Sequence, residues 1–165
     1  MARQRSIPDA QIFTAIRALI AEQGAVTFAA VAAATGLAGS TLVQRYGSVS
    51  GMVEAALEPV WTALEATLAR LSGDVAPNAR GAQDLLKALG DSDLTEISVL
   101  AAMFRIPALK GRAEAWRTGV EAALAGQLGS DAAARLAFAA WQGQALWHPA
   151  GAKRFRMKDA LRQIT

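Results

Sequence analysis

Hydrophobic residues recur through the first part of the chain at the three- and four-residue spacing of an amphipathic helix. Ser6 and Asp9 stand at the positions of a capping box, and Gly24 can supply the left-handed residue that ends a helix. The apolar positions between them form one stripe: Ile12, Ile16, Leu19 and Ile20. The pattern therefore predicts a first helix between Pro8 and Gly24.

Two short helices separated by a tight turn are predicted next. The first covers about residues 27–36, where Thr27 can act as its cap. The second covers about residues 38–46, where Leu42 and Tyr46 lie one turn apart on its inner side. Short helix, turn and short helix in this order are typical of a helix-turn-helix.

The remainder of the chain keeps the helical period, and no strand pattern competes with it. A long helix is expected over about residues 50–71, where Pro59 predicts a kink or an interruption because proline removes a backbone donor. Further helices are expected over five segments: 78–90, 93–106, 108–128, 131–147 and 152–164. The fold class predicted from the pattern is all-α.

Composition narrows the possible functions. The chain has 165 residues, 53% of them hydrophobic, which is enough to bury a sizeable core. Cysteine is absent, which excludes disulfides and thiolate metal sites, and the single histidine and the lack of a glycine-rich phosphate loop argue against an enzyme. We therefore expect no catalytic residues, no metal and no cofactor. The sequence has neither a signal peptide nor an apolar run of about 18 residues, so we expect a cytoplasmic protein without a membrane partner.

The second helix of a helix-turn-helix enters the major groove, so its outer side must present side chains that can read bases. Leu42 and Tyr46 can face the core, which leaves five residues near the exposed side: Gly39, Ser40, Val43, Gln44 and Arg45. Glutamine can pair with adenine and arginine with guanine, while serine can serve bases or phosphates. The net charge of +3 is compatible with a nucleic-acid partner.

Over about residues 10–55 the chain resembles the TetR family of bacterial transcriptional regulators. The residues that carry the resemblance are Gly24, Thr27, Phe28, Val31, Ala32, Gly36-Leu37, Thr41-Leu42, Tyr46, Ser48 and Met52. It implies a three-helix DNA-binding domain over residues 1–48, and a helical effector and dimerisation domain over residues 49–165. It also implies a homodimer on a palindromic operator, in most such cases as a repressor.

The candidate DNA-binding residues combine the flexible N-terminal arm with the helix-turn-helix: Arg3, Arg5, Thr27, Gly39, Ser40, Thr41, Gln44, Arg45 and Tyr46. Three positions depart from the family pattern. Ala38 stands where the family usually has a serine cap, a role that Ser40 could take over. Val43 and Val49 stand where the family has a tyrosine and a lysine that contact phosphates. A helical ligand-binding or interaction protein that has lost DNA binding is therefore the alternative.

All four tryptophans lie in the C-terminal part, which predicts either an aromatic core or an effector pocket for a small apolar or aromatic ligand. The pocket candidates are Trp61, Met103, Phe104, Trp116, Phe138, Trp141 and Gln142. The stretches 113–128 and 131–147 are rich in Ala and Gly, and two such helices from each of two subunits predict a four-helix dimer interface. The basic helix at 152–164 is expected to pack on the body, with a membrane surface or nucleic acid as the alternative partner.

Overall fold

The computed structural model describes residues 7–23, 25–72, 78–90, 106–147, 150–151, 153 and 156–164, apart from the side chains of residues 23 and 108. These residues form eight helices and no strand, as the all-α prediction requires. The helices are α1 (Asp9–Gln23), α2 (Phe28–Thr35), α3 (Gly39–Tyr46), α4 (Val49–Ser72), α5 (Ala79–Gly90), α6 (Pro107–Leu128), α7 (Asp131–Trp147) and α8 (Met157–Ile164). The helix expected over 93–106, with Met103 and Phe104, lies outside the described residues.

The helix boundaries follow from local capping chemistry. Thr27 has an extended backbone and accepts a hydrogen bond from Ala30 N at 3.1 Å, which satisfies one of the free donors at the start of α2. Gly36 then adopts a left-handed conformation with φ of 72°, and its amide donates to the Ala32 carbonyl. The boundaries predicted for this helix are confirmed.

The later helices begin in the same way. Asn78 accepts from Gly81 N at 2.9 Å at the start of α5, and Ser130 accepts from Ala133 N at 3.3 Å at the start of α7. Between α6 and α7, Gly129 supplies the left-handed end with φ of 71°. A side-chain cap and a glycine stop therefore fix the α6–α7 turn from local sequence alone.

Helix α4 joins the two predicted domains. It packs against α1 and α3 and also against α5 and α6, so the buried side chains form one continuous cluster. The interruption suggested by Pro59 does not occur, because α4 runs unbroken through this residue. One missing backbone hydrogen bond is offset by burial of Leu57, Trp61 and Leu64 on both sides of the proline.

The C-terminal basic helix is shorter than predicted. It begins at Met157 rather than near residue 152, and Lys153 and Arg156 lie outside it. Helix α8 packs against α5 and α7, with Leu161 only 1% exposed. This agrees with the expectation that it packs on the body. No helix of the described segments is long and apolar enough to cross a membrane.

Gly51 lies where α4 passes closest to the end of α3. A Cβ on Gly51 would stand 2.7 Å from the Tyr46 carbonyl oxygen, a backbone atom that cannot rotate away. Gly51→Ala should therefore destabilise the protein by about 1–3 kcal/mol, although alanine normally favours a helix. The matched control is Gly111→Ala in α6, where nothing lies within 4 Å of an added Cβ, and which should stabilise by about 0.5–1 kcal/mol. Urea denaturation of both variants measures the difference, and a stabilised Gly51→Ala would contradict the contact.

Candidate nucleic-acid interface

Helices α2 and α3 are two short helices that follow each other through a tight turn and pack together with α1 and α4. Helix α2 packs on α1, α3 packs on α2 and α4, and α1 packs on α4. The chain turns at Gly36, passes the half-buried Leu37 and enters α3 through an extended Ala38. The cap of α3 has no side-chain hydrogen bond, so the expectation that Ser40 replaces the missing serine cap is wrong.

The two sides of α3 differ in the way the sequence predicts. Leu42 is fully buried, and the half-buried Tyr46 packs its ring at 6.3 Å from that of Phe13 in α1. On the opposite side Ser40, Val43 and Gln44 are exposed. This exposed side of α3 is the candidate base-reading face.

Arg45 is exposed, as expected, but its guanidinium contacts the start of α1. Its Nε lies 3.1 Å from Asp9 Oδ1, and its Nη1 donates to the Ile7 carbonyl at 3.2 Å. The Tyr46 hydroxyl donates to the same Asp9 oxygen, and the Arg45 guanidinium lies 6.0 Å from the centroid of the Tyr46 ring. Asp9, Arg45 and Tyr46 therefore form a clamp between the start of α1 and the end of α3, which we call the α1–α3 clamp.

The clamp changes the roles expected from the sequence. Asp9 was expected in a capping box with Ser6, which lies outside the described residues, and its carboxylate instead receives Arg45 and Tyr46. Arg45, expected to read guanine, has its guanidinium turned to α1, and Tyr46 uses its hydroxyl inside the protein. The sequence signal for this contact was slight, because Asp9 and Arg45 are separated by 36 positions (45 minus 9).

The other predicted DNA-binding residues lie around this face. Thr27 is exposed at the start of α2, and Gly39 and Thr41 are half-buried in α3. Arg3 and Arg5 lie outside the described residues. Of the family departures, Val43 is exposed and Val49 is half-buried against the core cluster.

The α1–α3 clamp also sets the ionisation of the only tyrosine in the chain. Burial of the phenol, and after it the hydrogen bond to Asp9, raises the pKa of Tyr46 from 10.0 to about 12. Tyr46 therefore remains a donor at neutral pH. The stability that it contributes is fully present below pH 10 and is lost as the pH rises through about 12.

Replacing Asp9 with Asn should lower the pKa of Tyr46, because the neutral amide removes the carboxylate that disfavours the phenolate. The pKa should stay above 10, since burial is the larger cause and remains. With one tyrosine in the chain, phenolate absorbance during an alkaline titration reports this group alone. An unchanged titration midpoint in Asp9→Asn would show that the clamp does not exist in solution.

Four of the predicted pocket residues form a row of contacting rings in the C-terminal part. Trp61 and Trp116 have ring centroids 6.1 Å apart, Trp116 and Phe138 6.2 Å, and Phe138 and Trp141 5.8 Å. Trp61 is fully buried and Trp116 is 7% exposed, yet neither indole Nε1 has a hydrogen-bond partner. Gln142 is half-buried on α7. The structure thus brings these aromatic residues together as packed core side chains, with two buried donors unsatisfied.

An arginine braces the aromatic row from outside. The Arg112 guanidinium donates to both oxygens of Glu65, at 2.6 and 2.7 Å, and to Glu58, and it lies 6.0 Å from the centroid of the Trp61 ring. The hydrogen bond from Arg112 is the main cause that lowers the pKa of Glu65. Because Glu58 and Glu65 lie on either side of Pro59, Arg112 ties α6 to both parts of α4.

One face of α7 exposes large apolar side chains. Leu136 is 56% exposed, Leu146 46% and Trp147 62%, and Ala132 and Ala139 lie exposed at the same helical spacing. On the neighbouring α6 the small residues Ala115, Thr118 and Ala122 are exposed at the same spacing. We call these exposed residues of the two helices the α6–α7 face; on α6, Thr118 and Ala122 border an open cleft that Glu121, Asp131 and Arg135 also line.

A second polar feature lies between α5 and α8. Arg80, Gln83 and Asp84 of α5 face Lys158 and Arg162 of α8 across an open cleft of about 470 Å³. Among the described residues no group of three or more His, Cys, Asp or Glu side chains could hold a metal ion.

The chain matches no protein-family model, and no curated protein matches its sequence.

Proposed function

We propose that the protein is a DNA-binding transcriptional regulator that acts as a homodimer on a palindromic operator and responds to a small apolar or aromatic effector. The observation that carries the proposal is the exposed face of α3, which presents Ser40, Val43 and Gln44 on a helix held by α1, α2 and α4. A helix with small or polar side chains outward is what entry into a major groove requires.

The polar groups on this surface suit both bases and phosphates. The Gln44 amide can pair with the N6 and N7 edge of adenine, and the Ser40 hydroxyl can donate or accept. The Thr27 hydroxyl accepts from Ala30 N and still has its own hydrogen, with which it can donate to a phosphate at the start of α2. Arg45 acts as a positioning residue in this account, because its guanidinium fixes the end of α3 on α1.

The α6–α7 face supports the homodimer. Three large side chains 46–62% exposed on one helix are costly in water and become favourable when a second copy covers them. Small residues on the adjacent helix allow close packing, so two copies of α6 and α7 would form a four-helix interface. Such a dimer presents two copies of α3, as a palindromic site needs.

The aromatic row supports the effector. Trp61 and Trp116 each hold a buried indole N–H without an acceptor, and an unsatisfied buried donor costs free energy. A flat ligand that carries a hydrogen-bond acceptor would satisfy such a donor while stacking on the rings. The row lies on α4, α6 and α7, and α4 also supports α3, which gives a bound ligand a mechanical connection to the DNA-binding face.

Affinity for duplex DNA across a salt series tests the proposal. Binding of a labelled random duplex pool, followed by fluorescence anisotropy, should weaken on the order of tenfold or more between about 50 and about 200 mM salt. Gln44→Ala should leave this salt slope unchanged because it removes a neutral group, and should weaken binding only to duplexes selected by the wild type. Absence of salt-dependent binding at the lowest salt would contradict the proposal.

A helical ligand-binding protein that no longer binds DNA is the second candidate. It is favoured by Val43, which puts an apolar side chain on the exposed side of α3, and by the ion pair of the exposed Arg45 with Asp9, which engages the only cation of α3 inside the protein. In that case the salt series would show no binding, while a small aromatic ligand would still raise the thermal stability of the protein.

A further inference from the structure

Val43 is unusual among the exposed apolar side chains. Of the large hydrophobic residues that are exposed in the described segments, the other three lie on α7 in the α6–α7 face. Val43 alone lies on α3, with 46% of its surface in water. A second copy of the chain bound at the α6–α7 face would cover the first group and would leave Val43 on the candidate base-reading face.

The chemistry of the major groove leaves one matching partner. Base edges in that groove present hydrogen-bond donors and acceptors and a single apolar group, the 5-methyl group of thymine. Valine has neither a donor nor a charge, so it cannot bind a phosphate or any polar base edge. A methyl group is the contact for which a valine gains free energy by leaving water.

The surroundings of Val43 favour close approach to a base. Its neighbours one turn away are the small residues Gly39, Ser40 and Gly47, and Tyr46, whose half-buried ring packs towards Phe13. Arg45, the one long cation in α3, is held away from this side by Asp9 and the Ile7 carbonyl. The adjacent exposed side chain is Gln44, whose amide suits adenine. The chemistry of both Val43 and Gln44 therefore favours contact with A·T base pairs.

We propose that Val43 is a specificity-determining residue that contacts the 5-methyl group of a thymine in each operator half-site. The inference rests on the proposed function and adds the base that this position reads. It predicts that discrimination at one thymine depends on a methyl group alone, with no change in hydrogen bonding.

Replacement of thymine by deoxyuridine tests the contact, because it removes the 5-methyl group and nothing else. On a duplex selected by the wild type, each half-site should contain one thymine at which this replacement lowers the affinity. The affinity should fall about fourfold when that thymine is replaced in one half-site, and about 15-fold when it is replaced in both. In Val43→Ala this penalty should disappear, while overall affinity for the thymine duplex falls by a similar factor. Gln44→Ala is the matched control and should keep the penalty.

The outcomes distinguish failure of the proposed function from failure of the Val43 contact alone. If the wild type selects no duplex, the proposed function fails and the contact fails with it. The wild type can select a duplex whose affinity is unchanged by deoxyuridine at every thymine, or deoxyuridine can lower the affinity of Val43→Ala as much as that of the wild type. Either result overturns the contact and leaves the proposed function standing. Val43 is half-exposed and outside the core, so Val43→Ala should fold, and its unfolding midpoint verifies this.

Discussion

Replacing Trp61 with alanine is expected to destabilise the protein by about 3–5 kcal/mol, which is a large part of the total stability of a domain this size. Trp61 is fully buried, packs edge-on against Trp116 at 6.1 Å and carries the Arg112 guanidinium over its ring. Its removal leaves a cavity between α4 and α6 and takes one partner from the aromatic row. Chemical denaturation followed by circular dichroism measures the loss.

Trp61→Phe is the matched variant that separates ring volume from the indole N–H. Since the Trp61 Nε1 atom has no hydrogen-bond partner, its removal gives up no hydrogen bond, and the phenyl ring keeps most of the packing. We expect Trp61→Phe to cost clearly less than Trp61→Ala. Equal losses in the two variants would contradict the packing role of the ring, because the phenyl group would then recover none of the stability.

Replacing Leu136 with glutamate is expected to leave the protein monomeric where the wild type forms the proposed homodimer, and to lower affinity for a selected duplex by about 10²–10⁴-fold. The side chain is 56% exposed at the centre of the α6–α7 face, so the change costs the monomer little. In a two-fold dimer it places two carboxylates in an apolar interface. The affinity falls because a monomer binds one half-site and loses the gain from binding both.

Ala63→Glu on α4 is the control, since Ala63 is exposed and outside the α6–α7 face. It adds the same charge and should leave both assembly and affinity unchanged. Sedimentation equilibrium gives the oligomeric state, and anisotropy on a selected duplex gives the affinity. A wild type that is monomeric at micromolar concentration, or a Leu136→Glu variant that still dimerises, would contradict the proposed interface.

Local sequence signals predicted the two short helices α2 and α3 well. Thr27 and Gly36 bound α2 as expected because capping and left-handed glycine are decided within a few residues. Leu42 is buried and Gln44 exposed because a period of 3.6 residues fixes the faces of a short helix. These parts of the fold depend on little beyond their own segments.

The direction of Arg45 could not be predicted in the same way. Its long side chain leaves α3 between the buried and exposed sides, so the choice between solvent and α1 depends on a carboxylate elsewhere in the fold. Asp9 supplies it at 3.1 Å, and the spacing of residues within α3 contains no information about that contact. The start of α8 at Met157 was missed for a related reason, because its burial depends on α5 and α7.

The aromatic row could be predicted only in part. The concentration of tryptophans in the C-terminal part predicted an aromatic core or a pocket; three of the four join the row together with Phe138, whereas Trp147 is 62% exposed and outside the core. Whether their rings pack together or leave room for a ligand depends on distances of a few ångströms between α4, α6 and α7. Helical periodicity cannot provide such distances.

Selection of duplexes from a random DNA pool, carried out in parallel with the wild type and Gln44→Ala, tests the central claim most directly. The account predicts a palindromic consensus for the wild type, with half-sites about one helical turn apart, and loss of preference at one adenine per half-site in Gln44→Ala. An identical consensus for the two proteins, or no enrichment with the wild type, would contradict the claim that the exposed face of α3 reads DNA.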